Sequence, residues 1–132
     1  YSNTKAAVKK WHDMIETRDM SLLNELLADD VVFRSPVAFK PYEGKQVVYF
    51  ILTNVIQVFE NFTYHREFFT EDKQSVVLEF SAVVSEKQLK GIDMIRFNEQ
   101  GQIVEFEVMI RSLSGLQALG AQMGERFAQY QP

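Results

Sequence analysis

The chain has 132 residues, the length of one ordinary domain and too little for two. Hydrophobic residues make up 46% and aromatics 13%, with 11 Phe, enough for a sizeable core or for a core around an apolar cavity. A net charge of −4 argues against a phosphate backbone or an anionic membrane as the main partner, and the absence of cysteine excludes disulfides and thiolate metal sites. No apolar run reaches membrane length and the first residues lack the apolar stretch of a secretory signal. Nothing demands an oxidising compartment, which fits the cytoplasm. There is no repeat or linker, so one continuous domain is expected over residues 1–132.

Apolar residues recur at helical spacing over 4–17. Ala7, Val8, Trp11, Met14 and Ile15 share one side, and Lys9, Lys10, Asp13 and Thr17 the other. A short helix is expected over about 20–28 with Ser21 as its cap, ended by Asp29 and Asp30. A strand follows in which Val31, Phe33 and Ser35 point inward. Pro36, Pro41 and Gly44 predict an irregular loop over 36–44. Residues 45–60, "KQVVYFILTNVIQVFE", are apolar nearly all round and predict a largely buried helix.

From Phe62 the period becomes two, and strands are expected over 62–69, 75–85, 89–98 and 102–111. Glu99, Gln100 and Gly101 form the turn between the last two. In the final strand Val104, Phe106, Val108 and Ile110 oppose Ile103, Glu105, Glu107 and Met109. A helix over 115–130 carries Leu116, Leu119, Met123, Phe127 and Tyr130 on one stripe. That stripe is expected to cover one end of the sheet or to join a contact between copies. The pattern is α+β: N-terminal helices packed on a curved, mostly antiparallel sheet shaped as a cone, with an extra C-terminal helix.

Two stretches carry a resemblance: "LADDVVFRSPVAFKPYEGK" from Leu27 and "GIDMIRFNEQGQIVEFE" from Gly91. Ala28-Asp29-Asp30, Pro36 before a loop, Gly44 opening a helix, and the spacing of Ile92, Asp93, Arg96, Phe97, Glu99, Gly101 and Ile103 are the features that matter. They resemble the nuclear transport factor 2-like superfamily, in its SnoaL-like and ketosteroid isomerase-like branch. The resemblance spans residue 4 to about residue 111 and implies the cystatin-like cone. It specifies function weakly, because this fold hosts isomerases, cyclases, dehydratases, hydrolases and non-enzymes.

In ketosteroid isomerases the first strand ends in Asp-Pro, and that Asp is the proton-shuttling base. An ungapped match from Ala28 to Gly44 puts Ser35-Pro36 there. A serine hydroxyl without an activating neighbour is no base at neutral pH. The oxyanion hole of those enzymes joins a Tyr on the first helix to a protonated Asp on a late strand. By resemblance the Asp position falls on Asp93 and the Tyr position on Trp11; two further family tyrosines fall on Leu27 and Leu52.

Alternation puts Asp93 on the face of Gly91, Ile95 and Phe97. A carboxyl there must be paired, hydrogen-bonded or protonated, and desolvation raises its pKa. It is the candidate catalytic group; a structural Asp bonded to an amide or to Trp11 is the competing reading. Trp11, Phe33, Ser35, Tyr49 and Leu52 are candidate pocket lining. Phe80, Phe106, Val108 and Ile110 are core residues that a cone can also turn toward a cavity. His12, at the margin of the first helix's apolar face, is the candidate local base. His65 lies in a strand whose facing stays open. The two histidines have no ligand spacing, so neither a metal nor a cofactor is expected.

Glu105, Glu107, Arg111, Arg96 and Lys90 fall on the outer face. They make a solvated ladder of ion pairs or, with Ile103 and Met109, a homodimer interface. Two functions stay open. One is an enzyme of the polyketide cyclase or isomerase kind, in which Asp93 acts on an apolar, carbonyl-bearing, polyketide- or steroid-like molecule. With Ser35 at the base position it is not a standard ketosteroid isomerase. The other is a non-catalytic ligand-binding or dimeric scaffold protein of the same fold. A base beside Asp93 favours the first; a His12 that faces water favours the second.

Overall fold

The computed structural model describes residues 2–128. Helix α1 (Ser2–Thr17) buries Ala7, Val8, Trp11 and Met14, and Trp11 meets Phe106 with ring centroids 5.2 Å apart. The next helix is shorter than its sequence suggests. A 3-10 turn (Met20–Leu22) runs into α2 (Leu23–Leu26), and strand β1 (Leu27–Arg34) begins two residues before Asp29. Sheet pairing overrides helix propensity here, since Leu27 sits opposite Ile103 and both are fully buried. The cap is Asp19, not Ser21: its carboxylate accepts the Ser21 N–H at 3.1 Å.

The loop at 36–44 contains a short strand that periodicity could not show. In β2 (Tyr42–Glu43), Tyr42 pairs with Phe33 and Glu43 with Val32. Gly44, at φ 104°, turns the chain from β2 into α3 (Lys45–Val58), a conformation that side chains disfavour. This helix buries Val48, Ile51, Leu52, Ile56 and Val58.

Four long strands follow: β3 (Glu60–Phe69), β4 (Ser75–Val84), β5 (Lys87–Phe97) and β6 (Ile103–Arg111). The sheet order is β2-β1-β6-β5-β4-β3, with β1 parallel to β6 and every other pair antiparallel. One correction falls on β6. Ile103, expected on the outer face, is fully buried. Arg96 faces Glu105 while Phe97 faces Ile103, so β6 carries one extra residue and its alternation flips before Glu105.

Helix α4 (Leu113–Ala128) packs on α3, β4, β5 and β6 and covers the mouth of the cone, burying Leu119 and Met123. Gly115 permits this approach: a Cβ there would lie 2.7 Å from the Leu89 Cβ and 2.9 Å from the Gln88 carbonyl oxygen. Tyr130, expected on this helix's stripe, lies outside the described residues. Among the described residues, no helix is long and apolar enough to cross a membrane.

Candidate functional site

Between the helices and the concave face of the sheet lies a cavity of about 50 Å³. Its walls are apolar, from α1 (Trp11, Ile15), α3 (Leu52, Val55, Ile56), the sheet (Phe33, Phe106, Val108) and α4 (Leu119). Two lining groups carry ionisable protons, Tyr64 from β3 and Asp93 from β5. They form a chain with Trp11. The Trp11 indole N–H donates to the Tyr64 hydroxyl oxygen at 2.8 Å, and the Tyr64 O–H donates to Asp93 Oδ2 at 2.7 Å.

Asp93 is only 6% exposed. Burial pushes its carboxyl up to about 7, against the opposing pull of the Tyr64 hydrogen bond. Burial also pushes the Tyr64 hydroxyl well above the usual phenol range, helped by the Asp93 charge and the hydrogen bond to it. Tyr64 therefore keeps its proton, and Asp93 is the member of the chain that titrates near neutrality.

Of the expected lining residues, Trp11, Phe33, Leu52, Phe106 and Val108 line this cavity with Asp93. The direct bond between Trp11 and Asp93 does not form; Tyr64 stands between them. Ser35 opens instead onto an adjoining chamber of about 150 Å³ beneath α4. Its Oγ accepts the Val37 N–H at 3.0 Å, a turn closed by the side chain.

Phe80 is solid core behind the cavity, stacked on Phe62 at 4.9 Å. Tyr49 sits at the edge of the buried stripe of α3, beside Leu52 and Ile56, half-buried against the core, and lines neither space. Ile110 does not line the cavity; it lies opposite Gly91 and, with Phe80, fills the space a side chain there would take, an added Cβ lying 3.0 Å from Ile110 and 2.8 Å from Phe80.

His12 is not placed as a base for Asp93. Its Nε2 meets Glu67 Oε1 at 2.8 Å, a third of its side chain is in water, and only its ring edge touches the Tyr64 ring. His65 bonds Ser81 Oγ at 2.7 Å.

The sequence did not single out Tyr64. On β3, Phe62 and Tyr64 alternate onto the cavity face, so plain alternation from Phe62 is the signal that could have found Tyr64. Tyr64 faces Phe80 and Glu67 faces Leu78, three residues against two, so a bulge after Tyr64 brings Glu67 to the same face, which no spacing rule reveals.

The outer face carries the opposite arrangement. Glu79 on β4 is 7% exposed because Arg66 and Lys90 lie over it, at 2.6 and 3.2 Å. The Arg66 hydrogen bonds, more than the weaker contributions of Lys90, hold its carboxyl down at about 2 against desolvation. Further pairs join Arg34 to Glu105 at 3.0 Å and Arg96 to Asp72 at 3.3 Å.

The SnoaL-like domain model matches residues 8–106. Solved structures share the whole architecture. A steroid delta-isomerase from Pseudomonas aeruginosa is 57% identical, over 98% of this chain and 95% of its own, with a TM-score of 0.96. A protein with a cystatin-like fold from Silicibacter pomeroyi is 33% identical, over 93% and 86%, with a TM-score of 0.86. An epoxide hydrolase/cyclase-like enzyme of pyran ring formation in salinomycin is 14% identical over 86% and 94%, with a TM-score of 0.70, a likeness of fold alone. No curated protein matches the chain. The match over most of its length and the close relative show that the chain belongs to the SnoaL-like family, on the nuclear transport factor 2-like, cystatin-like α+β fold.

Proposed function

We propose that this protein binds a small apolar carbonyl compound with the carbonyl oxygen against Asp93. The observation that carries this is a buried carboxyl, held by a neutral donor, at the wall of an otherwise apolar cavity, where burial pushes it up to about 7. Trp11 holds the Tyr64 oxygen, so the Tyr64 proton is directed at Oδ2. When Asp93 is protonated, its own proton belongs on the other oxygen, where a ligand carbonyl can accept it. That bond draws electron density from the carbonyl carbon and acidifies its α C–H.

Enolisation also needs a base, and among the described residues the cavity walls supply none besides Asp93 and Tyr64. One carboxyl cannot polarise a carbonyl and carry a proton between two carbons in the same step. The chemistry that fits is intramolecular, a cyclisation in which the ligand brings its own nucleophile and the cavity brings proximity. From the Pseudomonas relative, whose name is that of a steroid delta-isomerase, we carry over the ligand class, an apolar ketone, and not the proton shuttle. A second reading, binding without turnover, is favoured by His12, which bonds Glu67 and stands a third in water away from Asp93, and by Ser35, whose Oγ accepts the Val37 N–H and opens onto the chamber beneath α4.

The proposal extends to pairing of two copies through the outer sheet face, where Met94 and Met109 are exposed among charges of both signs. Light scattering at micromolar concentration then gives twice 15.3 kDa, and a monomer there rejects the pairing.

The ligand reading is tested with 2-nonanone carrying a ¹³C carbonyl. Its bound stretch shifts to lower wavenumber in the wild type relative to hexane, and the shift disappears in Asp93→Ala. An identical stretch in both proteins rejects the role of Asp93.

A further inference from the structure

The space around Asp93 is small for the ligand just proposed. It measures about 50 Å³ and the chamber beside it about 150 Å³, whereas pockets for small organic ligands run from roughly 300 to 1,000 Å³. The two spaces share the walls Phe33, Pro36, Val55 and Leu119, and the roof of the larger one is α4. We infer that α4 is a lid, which lifts to admit the ligand and then encloses its apolar end in the chamber, so that the lid limits ligand length. The carbonyl reading enters only in deciding which end goes to Asp93.

The two halves of α4 are held differently. Its start is seated: Gly115 packs so close to β5 that an added Cβ would lie 2.7 Å from the Leu89 Cβ, and Ser112 accepts the Leu116 N–H at 2.9 Å through its carbonyl. Its far half rests on the chamber through Leu119, Met123 and Phe127. The polar ties there are replaceable by water. Arg126 donates to Asn54 Oδ1 at 3.0 Å and to Gln57 Oε1 at 2.8 Å on α3, and Gln122 donates to Ser85 Oγ at 3.1 Å. Gly120 and Gly124 lower the helix's intrinsic stability in that half. No packing demands glycine at 124, where an added Cβ would meet nothing within 4 Å. Gly120 and Gly124 both line the chamber; a Cβ at Gly120 would meet Val37 at 3.4 Å across it, whereas Gly124 is also open to solvent.

The test is a series of 2-alkanones from pentanone to dodecanone, titrated through Trp11 fluorescence and followed by stopped flow. In the wild type, affinity rises about fourfold for each methylene buried, up to a chain length at which the chamber is full. Gly120→Leu and Gly124→Leu, both favourable for helix, move that break to shorter ketones and leave 2-pentanone unaffected. Arg126→Ala speeds association and dissociation together, by roughly tenfold for a lost charge-assisted hydrogen bond. A break at the same length in every variant, rates unchanged in Arg126→Ala, or no binding by any ketone overturns the lid. Asp93→Ala, which leaves no donor for the carbonyl, separates the two ideas. It weakens every ketone by one factor if the carbonyl reading holds, and a length limit that moves with Gly120→Leu while Asp93→Ala has no effect keeps the lid and removes the carbonyl contact.

Discussion

Two carboxylates sit on opposite faces of the same sheet, on neighbouring strands, and both are almost out of water. Asp93 is 6% exposed and Glu79 is 7% exposed. Yet burial drives one up to about 7, and cations hold the other at about 2. The difference lies in the partners. Asp93 has one neutral donor, Tyr64, in a cavity of hydrocarbon. Glu79 has a two-bond contact with Arg66 and a second cation in Lys90. Low exposure made by cations is a salt bridge; low exposure made by hydrocarbon is a titratable site. The concave face of the sheet is therefore where charge is left unpaired, and it is the face with space beside it.

The contrast gives opposite signs to the pH dependence of stability. Asp93 has a folded pKa above its unfolded value near 4. The folded state binds more protons, so its contribution is fully favourable below about pH 4 and is lost as pH rises through 7. Glu79 has a folded pKa below its unfolded value. Its contribution is present above about pH 4.5 and is lost as pH falls toward 2. The largest expected effect is thus a gain. Asp93→Asn stabilises by about 4 kcal/mol at pH 8 in urea unfolding, and the gain vanishes near pH 4. A loss of stability at pH 8 would mean that Asp93 is better paired than its surroundings indicate.

Tyr64→Phe comes next. It removes the donor to Asp93 and the acceptor for Trp11, at about 1–3 kcal/mol at pH 7. The loss is smaller at pH 5, where Asp93 is neutral, and the Asp93 midpoint moves above 7. A pH-independent loss would show that Tyr64 matters for packing and not for the charge of Asp93. On the other face, Arg66→Ala lets the Glu79 midpoint rise from about 2 toward the ordinary carboxylate range, read by NMR titration. The smallest effect is at His12. Its half-exposed pair with Glu67 is worth at most about 1 kcal/mol, so His12→Ala leaves ketone affinity unchanged. A tenfold loss there would return His12 to the site.

Much of the fold was legible because its signals are local. The stripe of Ala7, Val8, Trp11 and Met14, the alternation in β4 and the Glu99-Gln100-Gly101 turn each specify their element within a few residues. Asp93 was legible too, as a carboxyl on an apolar face. What escaped depends on register. The bulge in β3 turns Glu67 toward His12, the bulge between β5 and β6 turns Ile103 inward, and pairing with Phe33 makes a strand of Tyr42. A bulge is a relation between two chains of residues, and neither chain announces it alone. Ser35 escaped for a related reason. It lies just past the end of β1, where strand alternation no longer sets the facing, and it lines the chamber beneath α4 and not the cavity of Asp93.

The central claim is that Asp93 changes charge near neutrality and meets a carbonyl with its proton. Carboxyl ¹³C NMR of selectively labelled Asp93, titrated without and with 2-nonanone, tests it most directly. We expect a midpoint near 7 in the free protein and a higher one with the ketone bound. A midpoint near 4, unmoved by the ketone, contradicts it.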